Sequence, residues 1–461
     1  MERRDFIRIL STGAVVSPFF IRSYPSFSSP NDRIQLGCIG LGGMGCGDMA
    51  DFLTFDEVDV VALCDVDSTH LARAAGMVKE RRNKTPDTCL DFRDLLGRHD
   101  IDAVLIATPD HWHGIITALA CKSGKDVYVE KPFTHNIREG RLAVQAARAN
   151  SRVTQLGCQV HASLGYHKAV EIIQSGALGT ITQARAWLSS NQAPQGIGKP
   201  EDGTVPEGLD YNFWLGPAPQ RPYNPNRSHF KWRYFWDYGG GQLADFTCHM
   251  IDVFLWGTNP GFPRRVSAVG GRYALEDNAE TPDTLNVVWE FDPPQSQSSP
   301  LQLIWSHTEC NADGLEGRSK GLKLCGTQGT LIVDYGWFIH KDPGGKVIQE
   351  FKEEGNPVGD AGIRHKREFL DCIRSRSLCS ADIEYGHQLT TLANLGNISH
   401  RVGRTLAWDG ETETISHDPQ ANRLVQREYR KGWDLAALGV VDPPATNRPP
   451  ARRNLLEPCC R

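Results

Sequence analysis

The stretch Gly40-Leu41-Gly42-Gly43-Met44-Gly45 constrains this chain more than any other. A buried-strand pattern, Ile34 to Ile39, runs into it, and an apolar-periodic segment leaves it through Phe52. A G-x-G-x-x-G between strand and helix has a steric logic. The first glycine makes the tight turn, the second lets backbone approach a pyrophosphate, and the third lets the helix pack on the strand. The helix start then offers unpaired N–H groups and partial positive charge to phosphates. A second strand, Val58 to Cys64, ends in Asp65, twenty residues after Gly45, where a carboxylate takes ribose hydroxyls. With an acid there and no Arg directly after it, NAD is favoured over NADP. A further strand–helix–strand run follows: Ile101 to Ala107, a break at Thr108-Pro109, a helix over Gly114 to Ser123, and a strand from Asp126 that ends in Glu130-Lys131-Pro132. Alternation with short connections predicts a parallel doubly wound sheet, which binds ligands at the carboxyl ends of its strands.

At 461 residues the chain is too long for one hydrophobic core. The fold class is α/β, with domains expected over 31–153 (dinucleotide binding) and 154–433 (an α/β substrate domain). Apolar residues at 40% and charged residues at 23% are ordinary globular usage and argue against disorder or coiled coil. Fifty Lys plus Arg against 55 Asp plus Glu, with no long basic run, leaves no electrostatic footprint for nucleic acid. Thirteen Cys, with no C-x-x-C pair, suggest neither a disulfide framework nor a zinc site, and no metal is expected. No apolar run reaches the roughly 20 residues that span a bilayer, so no stable membrane insertion is expected. Residues 1–30 instead read as a leader: Arg3-Arg4-Asp5-Phe6-Ile7-Arg8 resembles the twin-arginine export motif, and a hydrophobic stretch and a Ser/Pro-rich linker follow. The expected location is the periplasm, reached through the twin-arginine machinery, or the cytoplasm if the signal is not used. The tail 434–461, Pro- and Arg-rich and ending in Cys459-Cys460, is expected to be disordered.

Taken together, the glycine fingerprint, Ala107-Thr108-Pro109, Glu130-Lys131-Pro132, the Gly176-x-x-Gly179 turn and Asp245-x-x-x-His249 after Gly239-Gly240-Gly241 resemble the glucose-fructose oxidoreductase, inositol dehydrogenase and rhizopine-catabolism (Gfo/Idh/MocA) family. His111-Trp112-His113-Gly114 and Leu215-Gly216-Pro217-Ala218-Pro219 look like an exported subgroup. The resemblance implies a Rossmann domain followed by an α/β domain whose large open mixed sheet serves as a homo-oligomer interface. It implies Lys131, His249 and Asp245 as the catalytic set. Cofactor contacts would come from Gly40, Gly42, Gly43, Met44, Gly45, Asp65, Thr108, Pro109, His113, Glu130 and Lys131. The strand Thr154 to Gln159 resembles the family's entry to the substrate cleft.

Oxidising a secondary alcohol requires a base for the hydroxyl proton and a cation near the oxygen. Asp245 and His249 stand at i and i+4 of a helix and so share a face, where the carboxylate can hold the imidazole. His249 then reads as the base and Lys131 as the oxyanion stabiliser or proton relay. Between Gln192 and Tyr238 lies a long insertion dense in Pro, Gly and aromatics. With Arg221, His229 and Arg233 it reads either as a substrate lid or as an oligomer contact. Gln159, Trp232, Arg233 and Tyr238 are the substrate-binding candidates. His111 reads as structural as readily as catalytic, whereas His387, at a helix start, reads as structural more readily than as a cleft residue. The function expected is NAD-dependent hydride transfer with a sugar, polyol or sugar derivative, NAD being tightly bound. The alternative is a redox-neutral NAD-dependent glycosidase or lyase working through a 3-keto sugar.

Overall fold

The computed structural model describes residues 33–441; the Arg3-Arg4 leader and the Cys459-Cys460 tail lie outside them. Short apolar runs become the strands of a parallel sheet, and amphipathic segments between them become its crossover helices. The elements are β1 (Ile34–Ile39), α1 (Gly43–Phe52), β2 (Val58–Cys64), α2 (Ser68–Arg82), β3 (Asp87–Cys89), α3 (Phe92–Leu96), β4 (Ala103–Ile106), α4 (Asp110–Lys122), β5 (Asp126–Glu130), α5 (Ile137–Ala149) and β6 (Thr154–Gly157). The strand order β3-β2-β1-β4-β5-β6 reverses direction between β1 and β4, which opens the ligand crevice beyond their carboxyl ends. Gly40 ends β1 at φ +84°, and a Cβ there would lie 2.6 Å from the Thr108 nitrogen, so only glycine lets the two strand ends meet.

One expected boundary moves. Thr154 to Gly157, read as the first strand of the second domain, pairs in parallel with β5 and completes the first sheet. All four of its residues are buried, as a strand covered on both faces requires.

The second half adds α6 (Leu164–Gln174), β7 (Ile181–Ser189), α7 (Tyr211–Leu215), α8 (Gly241–Met250), α9 (Asp252–Thr258), β8 (Arg265–Gly271), β9 (Thr284–Phe291), β10 (Leu301–Thr308), β11 (Lys320–Gly326), β12 (Thr330–Asp334), β13 (Trp337–Lys341), β14 (Val347–Lys352), α10 (Pro357–Ser375), α11 (Ile383–Val402), β15 (Leu406–Asp409) and β16 (Thr414–Ile415). Its sheet runs β14-β13-β12-β11-β7-β10-β9-β8-β15-β16, mixed through the parallel β7–β10 pair. Gly326 N donates to the Gly329 carbonyl at 2.9 Å and closes the β11–β12 hairpin. The two sheets do not separate into independent bodies, because α11 packs against α5 and β6 on one side and against α8 and β8 on the other. Among the described residues no helix is long and apolar enough to cross a membrane.

The insertion is ordered around its own apolar cluster, which includes Trp214, Trp232, Tyr234, Phe235 and Tyr238. One further expectation changes. Residues 434–441 are not disordered: Leu438 and Val440 are buried on the main core, and Lys122 Nζ donates to the Gly439 carbonyl at 3.0 Å.

Candidate active site and dinucleotide cleft

A cavity of about 420 Å³ runs from Asp65 and His70 to Lys131 and Asp245, across the carboxyl ends of β1 and β4. At its floor, α1 begins at Gly42 with no side chain capping its N-terminus. A Cβ at Gly42 or Gly43 would meet no atom within 4 Å, so both present bare backbone to the cavity. Gly45 differs: its Cβ would fall on the Gly40 carbonyl, so it serves the packing of helix against loop. Met44 lines the wall. Asp65 Oδ2 accepts from Leu41 N at 2.6 Å and lies 3.4 Å from His70 Nδ1, while Oδ1 accepts from Asp67 N at 2.9 Å and keeps a second lone pair for a ribose hydroxyl. Open backbone donors at a helix start, with a carboxylate one strand away, fit a pyrophosphate and an adenosine ribose.

At the other end, Lys131 Nζ donates to Asp245 Oδ1 at 2.5 Å. Burial disfavours the ammonium, but Asp245 and Glu130 outweigh it and hold the lysine pKa above its ordinary value. Burial likewise opposes the Asp245 carboxylate, and Lys131 and Arg233 overcome it, keeping that group well below the usual carboxylate range. Arg233 Nε lies 3.5 Å from Asp245 Oδ2. Its guanidinium sits over the Trp232 ring at 4.8 Å. Both residues line the cavity, as expected of substrate contacts.

Other expected residues are placed differently. The helix spacing suggested that Asp245 holds His249, yet the carboxylate turns to Lys131, and His249 Nδ1 is buried with no hydrogen-bond partner. A nearby ammonium competes better for a carboxylate than a neutral imidazole does. Burial first, then the Lys131 charge, pushes the His249 pKa down to about 3, so the ring is neutral. It packs 5.8 Å from the Tyr335 ring, and Lys320 Nζ covers that ring's face at 4.8 Å. Tyr238, expected on the substrate, has no exposed surface and packs instead on Trp214 and His111. Gln159 is buried and donates to Glu130 Oε1 at 2.7 Å, beneath the lysine. Burial raises the Glu130 pKa, and the Asp48 charge adds to it. Thr108, Pro109 and His113 line the cavity, the imidazole pinned between the Pro132 and Thr108 carbonyls. His111 bonds the Trp214 carbonyl and His387 bonds Glu413, both buried and structural.

Sequence reasoning missed Asp110, the first residue of α4, which is 3% exposed, lines the cavity and has an unpartnered Oδ1. Burial and the Asp245 charge push its pKa well above the usual range. The signal was present: an acid directly after the Thr108-Pro109 break at a strand's carboxyl end. Also missed was how the insertion is fastened. Gly208 and Asp210 make main-chain hydrogen bonds to Ser68 and Val66 at 2.9 Å each. Trp112 Nε1 donates to the Trp214 carbonyl at 3.0 Å. The insertion therefore spans the cleft as a strap.

Residues 34–158 match "Oxidoreductase family, NAD-binding Rossmann fold", and residues 172–272 and 342–435 match "Oxidoreductase family, C-terminal alpha/beta domain". A "Glycosyl hydrolase family 109 protein" of Shewanella baltica is 27% identical over 212 residues, 40% of this chain and 45% of that protein. The chain thus matches less than half the length of that relative. Among solved structures, levoglucosan dehydrogenase in complex with NADH and levoglucosan superimposes with a TM-score of 0.61 at 18% identity, covering 81% of this chain and 99% of that one. The WlbA dehydrogenase from Bordetella pertussis, in complex with NADH and UDP-GlcNAcA, gives 0.60 at 17% identity, covering 82% and 99%. These likenesses share the fold.

Proposed function

Because this chain belongs to the Gfo/Idh/MocA family of NAD-binding oxidoreductases, we propose that it is a dehydrogenase of a sugar, polyol or sugar derivative, with its reacting carbon held at Lys131 and Asp245. The observation that carries this reading is the Lys131–Asp245 ion pair at one end of the cavity whose other end is the glycine loop and Asp65. The bare backbone at Gly42 and Gly43 and the α1 N-terminus would hold the pyrophosphate of NAD, which when bound would supply the hydride acceptor. Lys131, kept charged by Asp245, donates to the reacting oxygen and favours its alkoxide character. His249, neutral and one turn along α8 from Asp245, does not line the cavity, so its part as base for the hydroxyl proton requires its ring to turn toward the substrate. Trp232 and Arg233 supply a flat apolar face and a guanidinium for the sugar ring and its hydroxyls.

The twin-arginine-like leader and the fastened strap support a second element of this reading. An exported enzyme works without a free NAD pool, so the cofactor must be loaded before export and kept. A strap bonded at Ser68 and at Trp112 lies along the cavity that would hold the dinucleotide and would slow its exit. Turnover then requires a second sugar or keto acid to restore the oxidised cofactor.

Asp110 favours a second reading. A buried carboxyl that lines the cavity with an unpartnered oxygen, and whose proton is held more firmly by burial and by the Asp245 charge, suits a general acid, which hydride transfer does not need but elimination of a glycosidic oxygen does. Oxidation at C3, elimination at C1, addition of water and re-reduction would then give net hydrolysis. Incubating NAD-loaded protein with free sugars and with glycosides separates the two. A dehydrogenase accumulates reduced nicotinamide and oxidised sugar, whereas a glycosidase releases the aglycone with no net change in the cofactor.

A further inference from the structure

At the end of the cleft away from Lys131, three side chains converge. Asp67 caps the N-terminus of α2, His70 lies in its first turn, and His229 comes from the strap. One potential ligand atom from each lies within 4.8 Å of the other two. His229 Nε2 stands 3.5 Å from Asp67 Oδ2, and the two imidazole rings are 5.0 Å apart.

We propose that Asp67, His70 and His229 form a binding site for a divalent transition-metal cation of the zinc class, which ties the strap to the Rossmann domain. Two imidazoles and one carboxylate are the donor set that Zn²⁺, Co²⁺ and Ni²⁺ prefer, and they leave a fourth position for water. Metal bonds of about 2.0–2.2 Å place neighbouring ligand atoms roughly 3.3 Å apart, so modest side-chain rotation closes the cluster. The surrounding groups support ligation. Asp65 Oδ2 lies 3.4 Å from His70 Nδ1, the carboxylate–imidazole arrangement that orients a metal-bound histidine and raises its basicity. Asp67 Oδ1 is committed to capping α2 through Thr69 N at 2.8 Å, which leaves Oδ2 for the ion. The main chain next to Asp67 is fixed to the same insertion by the Ser68–Gly208 hydrogen bond, and His229 already stands against Asp67 and His70 before any ion arrives. No cysteine spacing announces such a site, because its ligands come from segments far apart in the chain.

The consequence for the cofactor rests on the retention reading above. All three residues line the cavity, so an ion joining them narrows the mouth through which the adenosine end would leave.

The test is a Co²⁺ titration of the chelator-stripped, full-length protein as purified, read by its visible absorption. Wild type should take up one equivalent, with a spectrum of low coordination number that Zn²⁺ abolishes. His229→Gln and Asp67→Asn should each weaken Co²⁺ binding by about tenfold or more, while thermal unfolding in chelator stays near wild type. His340→Gln, on β13, should bind like wild type. Absence of a one-equivalent site in wild type, or unchanged affinity in both cluster variants, overturns the assignment. Cobalt uptake is read without reference to NAD. Loss of NAD on dialysis therefore overturns retention alone, and failure of cobalt binding overturns the metal site alone.

Discussion

Lys131 Nζ and Asp245 Oδ1 lie 2.5 Å apart, one on the turn after β5 of the parallel sheet and the other on α8 above it. The pair thus joins the dinucleotide-binding half to the half that carries the substrate side of the cleft. Lys131→Met removes the cation at the reacting oxygen without filling the pyrophosphate site. It should lower kcat by about 100- to 10,000-fold and leave bound NAD near wild-type stoichiometry. Steady-state rates, with nicotinamide content measured after denaturation, check both halves of this outcome.

Gly42 and Gly45 differ in what a side chain would meet. Gly42→Val projects into open cavity, so the protein should fold with a wild-type melting temperature and lose NAD affinity. Gly45→Val drives the helix off the Gly40 carbonyl and should lower the melting temperature as well. Calorimetric titration with NAD beside thermal unfolding separates the two.

Burial holds several histidines neutral, with His113 and His307 lowered to about 4 and His135 and His249 to about 3. In the unfolded chain each titrates near 6.5, so below that pH the unfolded state binds more protons than the native one. Stability should be full above pH 6.5 and fall as pH drops toward 4. Urea midpoints across pH 7.5 to 4.5 measure this, and a flat profile would contradict it.

Arg427 Nε donates to Glu139 Oε1 at 2.9 Å, and the Glu139 side chain is 1% exposed. Arg427→Met leaves a buried carboxylate without its counter-charge. The expected loss is about 3–5 kcal/mol, and denaturant unfolding checks it. Tyr429 OH still bonds Glu139 and places the outcome toward the lower value.

Much of the first sheet was legible because its strands are short apolar runs punctuated by Gly, Thr-Pro and Lys-Pro, so β1, β2 and β5 fall close to where the pattern puts them. The second sheet was legible where alternation is clean, as in β9 and β10. It was not legible in β7, where the polar pair Thr182-Gln183 and the buried run Ala186 to Leu188 interrupt the alternation, or in β14, whose side chains are almost all exposed at the sheet edge. At the site, the fingerprint glycines and Asp65 were legible from type and spacing, and Lys131 and Asp245 only from the motifs that resemble the family's. The partner of Asp245 was not, because i and i+4 spacing shows which side chains share a helix face and not which charge arrives from another element. Asp110 and the Asp67–His70–His229 cluster depend on burial and on long-range approach, which no local pattern carries.

The most direct measurement is a single turnover of the NAD-loaded enzyme across a panel of sugars, polyols and glycosides, followed at the absorbance band of reduced nicotinamide. The wild-type protein should reduce its bound NAD with at least one of them, and Lys131→Met, equally loaded, should do so about 100-fold more slowly or less. Equal rates in the two proteins, or no reduction by any member of the panel with NAD bound, would contradict a sugar-oxidising centre at Lys131 and Asp245.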